Sequence, residues 1–233
     1  MVDLSSEMAD LWASLGPPAA GRGRVIQVTS ARRGEGTSTV ARELAMHAAR
    51  VVGRATWLVD LDIMASPQHA AIAAGQTRYG PLSEPAQASP DGSMFFTVQP
   101  PARAPSGHVW PDARYLASHR VGAARWWVTR FQRDRLVGRQ AVHVLPTGDY
   151  WNALRRFAEV VIVDAPSPER SRAGITVSPF MDQTVLVVAA DEPDVRAPAQ
   201  LRDAISAAGG EVTGIFFNRG VVQRPGFLKA ILP

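Results

Sequence analysis

The hexapeptide GEGTST, residues 34 to 39, combines the residue types that can bind a phosphate group. Gly34 and Gly36 allow backbone N–H groups to converge on an anion, and the apolar-periodic segment that follows places a helix N-terminus behind them. An apolar run that begins at Val25 precedes the hexapeptide, so that a strand, a glycine-rich turn and a helix follow one another. An ordinary glycine-rich turn between a strand and a helix has the same layout.

The residue directly before Ser38 decides how such a turn could work. Nucleotide-binding loops of the P-loop type carry a lysine there, followed by a hydroxyl that ligates Mg²⁺. This sequence has Thr37 at the lysine position. Lys229 is the only lysine among the 25 lysine and arginine residues, so the composition strongly favours arginine. That bias would replace a lysine at position 37 by arginine and keep the positive charge, and it does not explain an uncharged threonine. Arg32 or Arg33 could supply the missing cation, although the simpler interpretation places both in a solvated, charged loop.

Three aspartates follow apolar runs elsewhere in the chain. The segment WLVDLD ends in Asp60 and Asp62, which lie on one side of an extended chain, and VVIVDAP carries Asp164. Carboxylates at the carboxyl ends of adjacent parallel strands, beside a phosphate cradle, suit a Mg²⁺–nucleotide site. Each aspartate alone could instead cap a helix or a turn. The predicted metal ligands are Ser38, Asp60, Asp62 and Asp164, and Asp62 and Asp164 would be catalytic if the protein is active.

Asn218 ends a further apolar run, GIFFN, and its amide can both donate a hydrogen bond to a base edge and accept one from it. Together with the glycine-rich turn it completes a predicted nucleotide site. The predicted nucleotide-binding residues are Arg33, Gly34, Glu35, Gly36, Thr37, Ser38, Thr39 and Asn218.

Short β-branched runs alternate with helix-length segments along the chain. The predicted strands span residues 25–29, 56–60, 141–145, 160–164, 184–189 and 212–217, and the predicted helices span 39–52, 151–158 and 194–208. Near-continuous apolar strands that alternate with helices predict an α/β fold. Its expected form is a doubly wound, mostly parallel sheet between two helix layers, a three-layer sandwich like that of P-loop NTPases. With 233 residues and 46% hydrophobic content, a single domain spanning 1–233 is expected.

Two stretches depart from this alternation. Residues 76–111 are rich in proline, so an irregular excursion is expected in which only MFFTV could form a strand. Residues 112–140 are expected to be helical and carry seven arginines against two aspartates. Aromatic residues mixed with arginines occur in nucleic-acid-binding surfaces. We favour the simpler interpretation that Trp127 and Phe131 pack on one helix face, and no nucleic-acid partner is expected.

Composition excludes several classes of protein. There is no cysteine, hence no disulfide framework and no thiolate metal site. The apolar runs are too short to span a bilayer, and the first residues lack the basic-then-apolar order of a secretory signal. The sequence therefore predicts a soluble protein, and a cytoplasmic location is expected.

The order of these motifs resembles the cytoplasmic P-loop domain of bacterial tyrosine kinases, which pair with membrane-bound co-polymerases in capsule and exopolysaccharide assembly. The likeness covers most of residues 24–220 and is poor over 76–140. It implies that residues 34–39 form the Walker A loop, that Asp60 and Asp62 form the family's second aspartate motif, that Asp164 is the Walker B aspartate and that Asn218 contacts adenine.

Three features of that family are missing together. Thr37 replaces the Walker A lysine, the end of the chain carries no tyrosine cluster, and the Glu-x-x-Arg-x-x-Arg pattern used in ring assembly reads Glu7, Asp10 and Ala13. We therefore expect a catalytically weak or inactive relative whose binding of ATP or ADP with Mg²⁺ is weak or absent. The expected partner is a membrane-bound polysaccharide co-polymerase, which would bring the protein to the inner membrane, and homo-oligomers are a further expectation. The alternative is a residual ATPase of the division-site or partitioning type that uses Arg32 or Arg33.

Overall fold

The computed structural model describes residues 3–17, 21–191 and 194–220. Its main feature is an eight-stranded sheet with the strand order β10-β9-β1-β8-β2-β6-β5-β3, and strands β4 and β7 form a separate two-stranded ribbon. The strands are β1 (Arg24–Ser30), β2 (Ala55–Asp60), β3 (Ala86–Gln87), β4 (Phe96–Gln99), β5 (Leu116–Arg120), β6 (Trp126–Phe131), β7 (Ala141–Val144), β8 (Ala158–Asp164), β9 (Gln183–Ala189) and β10 (Gly214–Asn218).

Helices cover both faces of this sheet. They are α1 (Ser5–Ser14), α2 (Thr37–Val51), α3 (Pro67–Ala74), α4 (Gln76–Tyr79), α5 (Asp149–Phe157), α6 (Ala173–Val177) and α7 (Arg196–Ala207). Residues of α1, α2 and α3 share one hydrophobic core with the sheet, whereas α5 and α6 belong to the core on the other face. Leu201 and Ile205 of α7 pack on Leu186 of β9. The predicted three-layer α/β architecture is confirmed.

The six strands from β10 to β6 run parallel, and β5 and β3 extend the sheet in antiparallel pairing. All seven residues of β1 are buried, as are all of β8 except Glu159. Strands covered on both faces need apolar side chains in both directions, which is why these segments read as continuous apolar runs.

Residues 112–140 are not helical, so that prediction was wrong. They form a short 3₁₀ turn, the β5–β6 hairpin and a second 3₁₀ turn. Trp127 stacks on Trp57 at 6.2 Å on one face of the sheet, while Trp126 meets Tyr79 edge-on at 6.0 Å on the other. A spacing of four residues places Trp127 and Phe131 on one side of a strand as well as of a helix, so the spacing could not distinguish the two.

The strand predicted over 141–145 exists as β7, but it is not part of the main sheet. It pairs antiparallel with β4, which the segment MFFTV contributes. Phe95 anchors this ribbon, because its ring lies 5.0 Å from that of Tyr150 and 5.3 Å from that of Trp151 on α5. None of the helices in the described ranges combines the length and the hydrophobicity that a membrane span requires. The tyrosine-free end of the chain, 221–233, lies outside the described residues.

A histidine pair between α3 and β5 predicts acid sensitivity. The rings of His69 and His119 lie 4.6 Å apart, and burial, followed by the charges of His119 and Arg130, lowers the pKa of His69 from 6.5 to about 4. The unfolded chain therefore binds more protons than the folded chain between these values, so the stability due to neutral His69 is complete above about pH 6.5 and is lost as the pH falls toward 4.

We expect His69→Gln to flatten this loss, so that the melting temperature drops by a few degrees less than in the wild type between neutral pH and pH 4.5. Thermal unfolding followed by circular dichroism across this range measures it. The exposed His108→Gln variant is the control, and it should melt like the wild type at each pH. Parallel pH profiles for wild type and His69→Gln would contradict the assignment.

Candidate phosphate-binding site

The site lies where three parallel strands end. Strand β8 pairs with β1 and with β2 in such a register that Asp164 stands beside both Val28 and Asp60. The ladders continue one residue further, because the Leu61 N–H donates to the Asp164 carbonyl and the Ala165 N–H to the Val28 carbonyl, both at 2.9 Å. Three segments far apart in the sequence therefore meet at the carboxyl edge of the sheet, where ligands bind in this class of fold.

The glycine-rich turn joins β1 to α2 at this edge. Gly34 and Gly36 have φ angles of 85° and 94°, values that an L-residue rarely adopts, and Gly36 is the residue that precedes the first turn of α2. Its carbonyl accepts hydrogen bonds from the N–H groups of Thr39 and Val40 at 3.0 Å. The N–H groups of Thr37 and Ser38, which precede these two, have no acceptor within the helix and remain available to an anion.

Glu35 holds the turn in this shape from within. Its side chain is only 4% exposed, and its carboxylate accepts hydrogen bonds from the Arg32 N–H at 2.8 Å and from the Ala189 N–H of β9 at 3.3 Å. Asn218, at the end of β10, donates from its amide to the Glu35 carbonyl at 2.8 Å. The cradle is thus tied to two neighbouring strands by contacts in which Thr37 takes no part.

A cavity of about 440 Å³ opens in front of the turn. Thr37, 8% exposed, lies in its wall at the position where a lysine would supply a positive charge. Four arginines nonetheless line the cavity: Arg32, Arg33, Arg170 and Arg219.

Each arginine named from the sequence contacts an acidic residue, Arg32 through its side chain and Arg33 through its backbone. The Arg32 guanidinium forms an ion pair with Asp194. The Arg33 N–H donates to the Glu169 carboxylate at 2.9 Å, which fixes the backbone of this residue beside the cavity. Both residues line the cavity, and their role as replacements for the lysine stays a prediction.

Sequence reasoning missed two further arginines. Arg170, in the loop after β8, has a guanidinium nitrogen 2.5 Å from a carboxylate oxygen of Asp62. Arg219, directly after β10, donates to the Gly34 carbonyl and lies 3.5 Å from the Asp191 carboxylate. Both follow the carboxyl ends of parallel strands, and this was the one signal in the sequence that could have identified them.

Asp60 lies beneath the cavity rather than in its wall. It is 3% exposed, and its two oxygens accept hydrogen bonds from the N–H groups of Asp62 and Gln68, each at 2.9 Å. Burial raises the pKa of Asp60 well above its ordinary value, and the charge of Asp164 raises it further. Asp60 therefore shapes the loop after β2.

Asp164 is also buried, at 3% exposure, but it reaches the cavity. The Gln68 amide donates to its carboxylate at 2.6 Å, and the same amide nitrogen lies 2.8 Å from the Ser38 carbonyl. Arg42 donates to the Gln68 amide oxygen at 3.0 Å and so fixes which way the amide points. Burial raises the pKa of Asp164, whereas hydrogen bonds from Gln68 and Ser38 lower it.

The predicted Mg²⁺ ligands are only partly brought together. Ser38, Asp62 and Asp164 line the cavity and Asp60 does not. Gln68 and Arg170 already contact the two carboxylates that do. Over the described part of the chain, no group of three or more histidine, aspartate or glutamate side chains is arranged to hold a metal ion. The two carboxylate oxygens that Arg170 and Gln68 contact are therefore not open to a Mg²⁺ ion as they stand.

Asn218 lies next to the turn, and its predicted contact with adenine stays a prediction. Its amide nitrogen is committed to the Glu35 carbonyl, and its amide oxygen accepts from the Arg219 N–H at 3.0 Å. A Cβ atom built on Gly36 would lie 2.0 Å from the Asn218 amide nitrogen. Gly36 therefore lets the turn and Asn218 approach one another.

This close approach predicts different costs for two glycine substitutions. Gly34→Ala meets no atom within 4 Å and should cost roughly 1–2 kcal/mol for its left-handed backbone alone. Gly36→Ala should cost roughly 1 kcal/mol more, because Asn218 must move and lose its hydrogen bond to Glu35. Urea unfolding gives both values. In an Asn218→Ala background the two substitutions should cost the same, and a difference that persists there would contradict the explanation.

Comparisons with known proteins agree with this architecture. No family model matches the sequence, and no curated protein matches it. Among solved structures, the chimeric protein CapA2B2 superposes with a TM-score of 0.62 at 18% identity, over 94% of this chain and 86% of that one. The kinase domain of the Escherichia coli tyrosine kinase ETK superposes with a TM-score of 0.53 at 15% identity, over 88% of this chain and 70% of that one. Apo McdA from Cyanthece superposes with a TM-score of 0.54 at 14% identity, over 89% of this chain and 79% of that one. At these identities the likeness shows the fold alone, an α/β fold that this chain shares with CapA2B2, the ETK kinase domain and McdA.

Proposed function

We propose that this protein is a nucleotide-binding but catalytically weak or inactive relative of the bacterial tyrosine kinases. It would act in exopolysaccharide or capsule biosynthesis and export, as the cytoplasmic partner or regulator of a membrane co-polymerase. The observation that carries the proposal is Thr37, a buried and uncharged residue at the lysine position of an otherwise well-built phosphate cradle.

Binding should survive this substitution in weakened form. Glu35, Asn218 and the two glycines hold the turn open without help from residue 37. The N–H groups at the start of α2 and the helix dipole favour an anion there. A charge-assisted hydrogen bond to phosphate contributes roughly 1.5–3 kcal/mol, or about ten- to a hundredfold in affinity. We therefore expect ATP to dissociate with a Kd of about 10⁻⁴ M.

Catalysis should suffer more than binding. Charge develops on the transferred phosphoryl group, and removing one preorganised donor to such charge typically costs about 10²–10³ in rate. The carboxylates that could orient a nucleophile are engaged by protein groups, Asp62 by Arg170 and Asp164 by Gln68. This arrangement favours a binding protein over an efficient phosphotransferase.

A residual ATPase of the division-site or partitioning type is the second candidate. The observation that favours it is the ring of arginines around the cavity, which could replace the lysine charge. Steady-state ATP hydrolysis with Mg²⁺ separates the two. We expect background turnover for the wild type. Turnover that is abolished both by Asp62→Ala and by Arg33→Ala would overturn the binding-only function.

The pathway and the partner are proposed from the resemblance of the motifs to the tyrosine kinase family, with the fold as support. Isolation of the tagged protein from native membranes tests this assignment. Recovery of a polysaccharide co-polymerase is the expected result. Recovery of division or partitioning proteins in its place would favour the second candidate.

Restoring the lysine should restore affinity. We expect Thr37→Lys to tighten ATP binding by one to two orders of magnitude, because it adds one charge-assisted contact to phosphate. Calorimetry on both proteins measures the change. Val51→Lys, at the exposed far end of α2, adds the same charge to the same helix and should leave the affinity unchanged. If the wild type already binds at low micromolar concentration and Thr37→Lys adds nothing, the lost charge has been replaced by an arginine.

A further inference from the structure

The loop after β8 presents Arg170 to the cavity in a fixed position. It contains Pro166 and Pro168, and the N–H groups of Arg170 and Ser171 both donate to the Ser167 carbonyl, at 2.9 and 3.1 Å. The resulting turn directs the Arg170 guanidinium onto Asp62, whose side chain is 16% exposed, while Arg170 itself keeps 40% of its side chain exposed. The pair is therefore built at the mouth of the cavity.

The protein thus supplies its own positive partner for the carboxylate that a metal would need. Arg170 neutralises Asp62 at 2.5 Å, and the Gln68 amide occupies Asp164 at 2.6 Å. A Mg²⁺ ion coordinated by the same carboxylate oxygens would have to displace one of these groups. A guanidinium is also a strong phosphate ligand, because its planar fork can donate two hydrogen bonds to phosphate oxygens.

We propose that Arg170 takes the place of the metal, so that the cavity binds the polyphosphate of a nucleotide in its Mg²⁺-free form. This inference rests on the nucleotide binding proposed above. On binding, the Arg170 guanidinium exchanges the Asp62 carboxylate for phosphate oxygens of the ligand. Asp62 is then a competitor of the phosphate for Arg170.

This competition reverses the effect on nucleotide affinity that is expected of a substitution at Asp62. In a metal-dependent site Asp62→Asn removes a ligand or a water acceptor of the metal and weakens nucleotide binding. In the site proposed here, Asp62→Asn releases Arg170 and therefore tightens nucleotide binding. If the competition is real, the tighter binding of Asp62→Asn must depend on Arg170. If the substitution acted only by removing a negative charge near the phosphates, it would tighten binding whether or not Arg170 is present.

The test is calorimetric titration of ATP into the full chain in EDTA and, separately, with Mg²⁺. For the wild type we expect the EDTA affinity to equal or exceed the Mg²⁺ affinity. In EDTA, Arg170→Gln should weaken binding by about tenfold or more, the loss of one charge-assisted contact. Arg172→Gln, two residues away and exposed, is the matched control and should bind like the wild type.

The double variant completes the cycle. We expect Asp62→Asn to tighten binding severalfold in EDTA, and the gain to disappear in Asp62→Asn/Arg170→Gln. Binding that requires Mg²⁺ and is weakened by Asp62→Asn would overturn this inference and leave the proposed function standing. No ATP binding in either buffer, with native circular dichroism, would overturn both.

Discussion

Strand β8 lies between β1 and β2, and the parallel hydrogen bonds on its two edges fix the relative position of everything else at the site. Because the register sets Asp164 beside Asp60 and next to the end of β1, the two aspartate segments and the phosphate cradle have to meet at one edge. The burial of these strands makes this register hard to change, since a slip of one residue would exchange the side chains that pack against the two helix layers.

A P-loop ordinarily provides both the shape of a phosphate cradle and its positive charge, whereas in this site the two have different sources. Its shape comes from the positive φ angles of two glycines, from the buried carboxylate of Glu35 and from the amide of Asn218. Its charge must come from elsewhere, because Thr37 carries none. Arginines from three different loops stand around the cavity instead, and two of these loops follow β8 and β10. Loss of the lysine therefore need not collapse the cradle.

The elements that position the site were predictable because apolar runs, a glycine-rich turn and strand-ending aspartates occur together, and their combination favours one arrangement in an α/β fold. The β5–β6 hairpin was not predictable in this way. Its aromatic residues recur at a spacing that suits a helix and a strand alike, and only pairing with β2 decides between them. Arg170 and Gln68 were missed for another reason. Which partner a polar side chain chooses depends on the path of the loop that carries it, and a sequence does not state that path.

We infer that the cradle has the shape of a phosphate site and that Arg170 meets the phosphate in place of a metal. The most direct measurement is a crystal structure of the protein with ADP bound in the presence of Mg²⁺. We expect the β-phosphate on the N–H groups at the start of α2, with a guanidinium nitrogen of Arg170 about 2.7–2.9 Å from a phosphate oxygen and no longer on Asp62. A Mg²⁺ ion held between Ser38 and the β-phosphate, with Arg170 still paired to Asp62, would contradict the account.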